Sequence, residues 1–160
     1  MPAGGSSFWG GLSNNLFYNV TNTGTVGAIL AANGGATVWA HNNVFYEVGD
    51  SDYADQVASN VNFDNNIIVA ATRYGLTNSS PDAEYNMEYG ASVQGFTGTS
   101  VASNVTNDPK FTDAAGHDLS LDAGFSPAID AGNPLSGYDD IDGTRNDLGA
   151  FGGSFGAWTP

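Results

Sequence analysis

Asn42-Asn43-Val44-Phe45 recurs in wording and setting at Asn14-Asn15-Leu16-Phe17 and at Asn65-Asn66-Ile67-Ile68. Each phrase is an Asn pair followed at once by apolar residues, and the three phrases begin 28 and then 23 residues apart. A weaker copy, Tyr85-Asn86-Met87, places its Asn 20 residues beyond Asn66. Self-similarity with a period of about 20 to 50 residues marks a solenoid, because each repeat buries its apolar face only against a stacked neighbour.

The flanks of the phrases read as strands. Thr37-Val38-Trp39-Ala40-His41 precedes one Asn pair and Val44-Phe45-Tyr46-Glu47-Val48 follows it; Val61-Asn62-Phe63-Asp64 precedes the next. These runs are short and rich in β-branched and aromatic side chains. Between them lie Ala32-Asn33-Gly34-Gly35, Gly49-Asp50-Ser51-Asp52 and Thr77-Asn78-Ser79-Ser80-Pro81, where Gly and Asn tolerate turn angles. The pattern predicts parallel-stacked strands over 38–41, 44–48, 61–64 and 67–70, with Asn43 and Asn66 at equivalent corners. At the ~4.8 Å spacing of stacked strands, each corner amide can donate to and accept from the next copy.

Composition agrees with an all-β chain. Of 160 residues, 41% are hydrophobic and 12% charged, with 22 Gly, a mixture better suited to strands and turns than to helices. Three Lys and Arg face 17 Asp and Glu, for a formal net charge of -14. Such a chain cannot release counterions from a phosphate backbone, so nucleic acid is excluded as a partner, and insertion into a membrane is not expected. Acidic polysaccharides would be repelled unless a divalent ion intervened. There is no cysteine, hence no disulfide and no thiolate site. Met1 to Ser7 carry neither a basic nor an apolar leader region, which predicts either a removed signal or an excised segment.

From Asn107 onward the texture changes, with Pro and Asp at intervals and no Asn-Asn phrase. The chain therefore divides into stacked coils over 1–106 and a capping segment of the same domain over 107–160. Asp108-Pro109-Lys110-Phe111 leads through Asp118-Leu119-Ser120-Leu121 to Ser126-Pro127-Ala128-Ile129-Asp130-Ala131-Gly132, and a second phrase runs from Asp140 to Gly153 as DIDGTRNDLGAFGG. Together they resemble the C-terminal end of bacterial right-handed parallel β-helix repeat proteins. That resemblance implies a right-handed parallel β-helix of about four coils with a C-terminal cap, at the cell surface or secreted. The family holds polysaccharide lyases and glycosidases beside surface proteins without known activity, so the fold alone does not decide function.

Several residues carry candidate chemistry. Asp140, Asp142, Asn146 and Asp147 cluster hard oxygen ligands in one turn, as Ca2+ requires, although EF-hand framing is missing; the competing reading has these side chains capping turn amides, with Arg145 pairing one of them. Asp50, Ser51, Asp52 and Asp55 form a second acidic loop. Glycoside hydrolysis needs two carboxylates about 5 to 10 Å apart, for which Glu84 with Glu88 and Asp52 with Asp64 are the candidate pairs. Lyase chemistry is poorly served, since Arg73 is the lone cation on a coil. His41 and His117 have no partner His at metal-ligand spacing. Trp39, Phe45, Tyr46 and Tyr53 offer aromatic faces for sugar rings where they point outward, and core for the coils where they point inward.

The expectation is an extracellular or cell-surface structural scaffold presenting a long face for adhesion, carbohydrate contact or end-to-end self-assembly. The alternative is the C-terminal fragment of a polysaccharide lyase or glycoside hydrolase. Self-association, or contact with upstream coils, is expected at the N-terminal end through Phe8 and Trp9, where strand edges and an apolar cross-section need a cover.

Overall fold

The computed structural model describes residues 9–20, 37–48, 61–70, 76–77, 83–90, 96–97 and 103–156. Phe8, the acidic loop at Asp50 to Asp55, and Arg73 lie outside them, as does the side chain of Trp9. The described chain is all-β apart from one 3-10 turn at Ala114–Gly116. Its strands are β1 (Trp9–Ser13), β2 (Leu16–Tyr18), β3 (Thr37–His41), β4 (Val44–Tyr46), β5 (Val61–Asp64), β6 (Ile67–Val69), β7 (Leu76–Thr77), β8 (Met87–Tyr89), β9 (Phe96–Thr97), β10 (Phe111–Asp113) and β11 (Asp118–Leu121).

Three walls are parallel. One runs β1-β3-β5, a second β2-β4-β6-β8, and a third pairs β7 with β9. Register is uniform: Ala40 lies beside Leu12 and Phe63, and Phe45 beside Phe17 and Ile68. Each Asn phrase bends the chain from the first wall into the second. Asn14, Asn42, Asn65, Tyr85 and Ser103 take left-handed angles (φ 53 to 64°), a region Asn occupies readily. The residue after each of them, Asn15, Asn43, Asn66, Asn86 or Asn104, points along the stack.

Those five side chains form a continuous ladder. Nδ2 of Asn15, Asn43, Asn66 and Asn86 donates to Oδ1 of the next Asn at 3.0, 2.9, 3.1 and 3.2 Å, and each backbone N–H donates to the same oxygen. The amides of Asn43, Asn66, Asn86 and Asn104 also donate to Leu12, Ala40, Phe63 and Ala83 carbonyls. About four coils were expected, and the ladder has five rungs. Asn104 escapes notice in the sequence because Ser103, not a second Asn, makes its bend.

A second left-handed corner lies four residues after each of the first four ladder residues, at Asn19, Glu47, Ala70 and Gly90 (φ 48 to 69°). It corrects two expected strand ends. The run 44–48 stops at Tyr46 and the run 67–70 at Val69, because Glu47 and Ala70 turn the backbone out of the strand.

Alternation along the strands sorts the second wall into an inner and an outer face. Phe17, Phe45, Ile68 and Glu88 form one column. It faces the first wall, since the Phe45 ring stacks on Phe17 at 4.9 Å and on Phe63 of β5 at 5.7 Å. Val44, Ile67, Met87 and Val69 face the other way into a cluster with Leu119, Ala128, Leu148 and Ala150.

The segment after Asn107 thus covers the side of the stack in its described part. The antiparallel pair β10–β11 sets Phe111 edge-on to Tyr46. Farther on, the chain runs along the first Asn of each pair. Asn14 Nδ2 donates to the carbonyls of Ala150 and Gly152, each at 2.8 Å. Asn42 Nδ2 donates to Asn146 Oδ1 at 2.9 Å, and Gly149 N donates to the Asn65 carbonyl at 2.8 Å. The doubled Asn therefore has two jobs: the first bends the chain and docks the tail, and the second builds the ladder. Gly149 fits there because it has φ +86° and no side chain; a Cβ would meet Ile67 Cδ1 at 2.8 Å and Val44 Cγ2 at 3.0 Å.

Candidate functional site

A groove of about 370 Å³ opens on the outer face of the first wall, within the usual range for small-ligand sites. Because Ala40 and Phe63 point inward and are buried, their neighbours on β3 and β5 point out. Trp39 and His41 stand beside Asn62 and Asp64 in register, and all four line the groove. The opposite wall is the tail, through Tyr138, Gly153, Ser154 and Phe155. Trp39 is 41% exposed and Phe155 71%, so two aromatic rings meet solvent at one mainly apolar cleft that also carries His41, Asn62 and Asp64.

The groove's far wall is anchored by three of the residues expected to hold Ca2+. Asn146 is fully buried; its Nδ2 donates to the Tyr138 carbonyl at 2.6 Å and its Oδ1 accepts from Asn42. The Asp140 carboxylate accepts the amide of Gly153 and the amide of Asp147 at 3.0 Å. Asp147 Oδ1 accepts from Asp130 N at 2.7 Å. Asp142 serves its own turn, accepting from Thr144 N at 3.0 Å and Thr144 Oγ1 at 2.6 Å. Each of the three carboxylates thus accepts at least one backbone amide. Among the described residues no group of three or more His, Asp or Glu side chains is arranged to hold a metal ion. The Arg145 guanidinium bonds the carbonyls of Gly132 at 2.7 Å and Ala131 at 3.3 Å.

Burial governs the acids of this tail. It pushes Asp147 up to about 6 from an ordinary 3.8, with the carboxylates of Asp140, Asp130 and Asp142 adding to the rise and the Asp130 amide opposing it. Burial also raises Asp140 against the two amides it accepts. Asp142 is held low by the Thr144 hydroxyl and amide.

Of the carboxylate pairs considered for hydrolysis, Glu84 and Glu88 differ in burial. Glu88 is fully buried in the inner column beside Ile68. Glu84 follows Asp64 along the outer edge, its N–H donating to Asp64 Oδ1 at 3.2 Å. Asp52 lies outside the described residues. Among the aromatic candidates Trp39 faces out, Phe45 faces the core, and Tyr46 stacks on Tyr18 at 5.5 Å on the tail-covered side; Tyr53 lies outside the described residues. His117 packs its ring on Tyr18 at 4.2 Å.

His41, Asn62 and Tyr138 had no motif to announce them. The first two have a positional signal: His41, like Asp64, stands two residues before a ladder Asn, and Asn62 four before. Tyr138 reaches the groove only through the tail's docking on Asn42 and has no such signal.

Comparison of the chain with protein-family models, with curated proteins and with solved structures finds no match. Among the described residues no helix is long and apolar enough to cross a membrane.

Proposed function

We propose that this chain is a right-handed parallel β-helix scaffold of the cell surface or extracellular space whose groove binds a neutral carbohydrate. Handedness follows from chain physics, since crossovers between parallel strands of one sheet are right-handed in about 98% of cases. The resemblance of the last 45 or so residues to β-helix repeat proteins supports the architecture and the location; the chain's lack of cysteine is compatible with secretion.

The groove carries the carbohydrate reading. Sugar recognition joins an apolar ring face with hydroxyl-directed donors and acceptors, and Trp39 stands next to the amide of Asn62, the imidazole of His41 and the carboxylate of Asp64. Neutral sugars fit best because a net charge of -14 and an acid in the groove oppose uronates. Hydrolysis calls for two facing carboxylates, and Asp64 is the one acid among the described lining residues, which favours binding over cleavage.

The test is calorimetric titration with a panel of neutral and uronic oligosaccharides. A neutral ligand should bind, and Trp39→Ala should weaken it at least tenfold, about 1.4 kcal/mol, with the melting temperature little changed. Binding of no neutral sugar, or binding indifferent to Trp39, overturns the proposal.

A further inference from the structure

The Asn ladder is directional, and its two ends carry opposite halves of the same bond. Within the stack every Oδ1 from Asn43 to Asn104 accepts from the Asn one rung earlier. At the first rung, Asn15 Oδ1 accepts nothing from the described residues, although Asn15 Nδ2 donates to Ser13 and Asn43. At the last rung, Asn104 Nδ2 donates to Ala83 alone among the described residues, and no described acceptor takes the Asn104 N–H. The strands repeat the asymmetry. Among the described residues β2 is an edge strand paired only with β4, and Val105 bridges only to Met87. Leu16 and Phe17 are half-buried where Val44 and Phe45 one rung on are buried. The described tail meets the first rung from outside, at Asn14 and Tyr18, and leaves Asn15 uncapped.

We propose that a second copy of this chain stacks head to tail on the first, with Asn104 of one copy donating to Asn15 Oδ1 of the next. This extends the stacked-coil reading and is independent of the carbohydrate reading. A head-to-tail copy supplies donors to the open acceptor, whereas a head-to-head pair would oppose acceptor to acceptor. Continued register sets Val105 beside Leu16 and Asn107 beside Tyr18, and strand pairing adds the backbone bonds of a parallel edge. Such a contact is heterologous, so its repetition gives a filament unless rotation closes a ring. The charge of -14 on each copy opposes stacking, and salt therefore promotes it.

The chain has no native cysteine, which permits a register test by cross-linking. Tyr18→Cys and Asn107→Cys are prepared singly at two exposed positions. Equivalent positions on stacked strands are ~4.8 Å apart, inside the disulfide range of ~4.4 to 6.8 Å. Oxidation of the mixture should give dimers with a yield about tenfold above either variant alone. Equal yields in all three samples, or dimers of Tyr18→Cys alone, overturn the proposal. Asn104→Asp keeps the oxygen that Asn86 uses, gives up the bond to the Ala83 carbonyl, and faces Asn15 of the next copy with an acceptor. In sedimentation, wild-type mass should rise with concentration while Asn104→Asp stays monomeric and folded. A wild-type monomer at up to about 1 mM chain in both low and high salt refutes head-to-tail stacking; sugar binding that depends on Trp39 would survive that result, so the two proposals fail separately.

Discussion

Replacing Asn66 by Ala removes the central rung of the ladder. Five hydrogen bonds end on that side chain: Oδ1 accepts from Asn43 N at 2.9 Å and Asn43 Nδ2 at 2.9 Å, and Nδ2 donates to Ala40 O, Asp64 O and Asn86 Oδ1. Asn66 and Asn43 are both fully buried, so water does not replace what is lost. Net bonds of ~0.5 to 1.5 kcal/mol each, with the Asn43 N–H stranded at a further ~1 to 3 kcal/mol, give a loss of about 3 to 5 kcal/mol after relaxation. For a chain of this length that lowers the melting temperature by roughly 6 to 20 °C. Asn15→Ala is the internal control, because within one copy its oxygen supports no other rung among the described residues and its site is half-exposed; in the monomer it should cost about 1 kcal/mol. Urea unfolding of the two variants beside wild type measures both. A loss below 1 kcal/mol at Asn66, or equal losses at the two sites, refutes the cooperative buried ladder.

Gly149→Ala should cost about 2 kcal/mol or more, read by thermal unfolding, since its Cβ meets Ile67 and Val44 and its φ is positive; an unchanged melting temperature would mean the tail is not seated there. Asp147 has a raised folded-state value, so the stability it contributes is present below about 3.8 and lost as pH rises through about 6. The protein should therefore gain stability between pH 7 and pH 5, and Asp147→Asn, which keeps the oxygen facing Asp130 N, should raise stability at pH 7.5 by about 1 kcal/mol once solvent screening of this half-exposed group is allowed for, and flatten that gain. Below pH 4 the opposite slope should appear, as Asp142 and Asp108, both held low by hydrogen bonds to Thr144 and Lys110, are protonated. Chelator and millimolar calcium should give the same melting temperature, because the acids of the Asp140 to Asp147 turn already serve backbone amides; a rise with calcium that Asp142→Ala abolishes would assign that turn to an ion.

The stacking was legible in the sequence because its cause is local and repeated. An Asn pair between two β-branched runs says where the chain bends and which amide lies along the stack; strand 61–64 appears where the pattern puts it, and the strand expected over 38–41 begins one residue earlier, at Thr37. Rungs bent by Tyr85 and Ser103 are harder to read, since the conformation there is imposed by neighbours rather than by an Asn. The groove was legible by half. Trp39 offered itself as an outward aromatic, but Tyr138 and Phe155 arrive from a segment about 100 residues downstream, docked by Asn42 and Asn146. The acids of that segment look like ion ligands in sequence because Asp and Asn side chains serve cations and turn amides alike. Asp140 accepts the Gly153 amide and Asp142 the Thr144 hydroxyl, partners that the spacing of the acids in the sequence does not announce.

The most direct test of the ladder is NMR of the Asn side-chain amides. Cross-relaxation between the Nδ2 protons should run in the order Asn15, Asn43, Asn66, Asn86, Asn104, and the protons of the buried Asn43, Asn66 and Asn86 should exchange with solvent far more slowly than those of a free amide. Side-chain amides that exchange at the free rate, or Asn43 and Asn66 protons showing no mutual cross-relaxation, would contradict the stacked architecture on which the groove and the ends both depend.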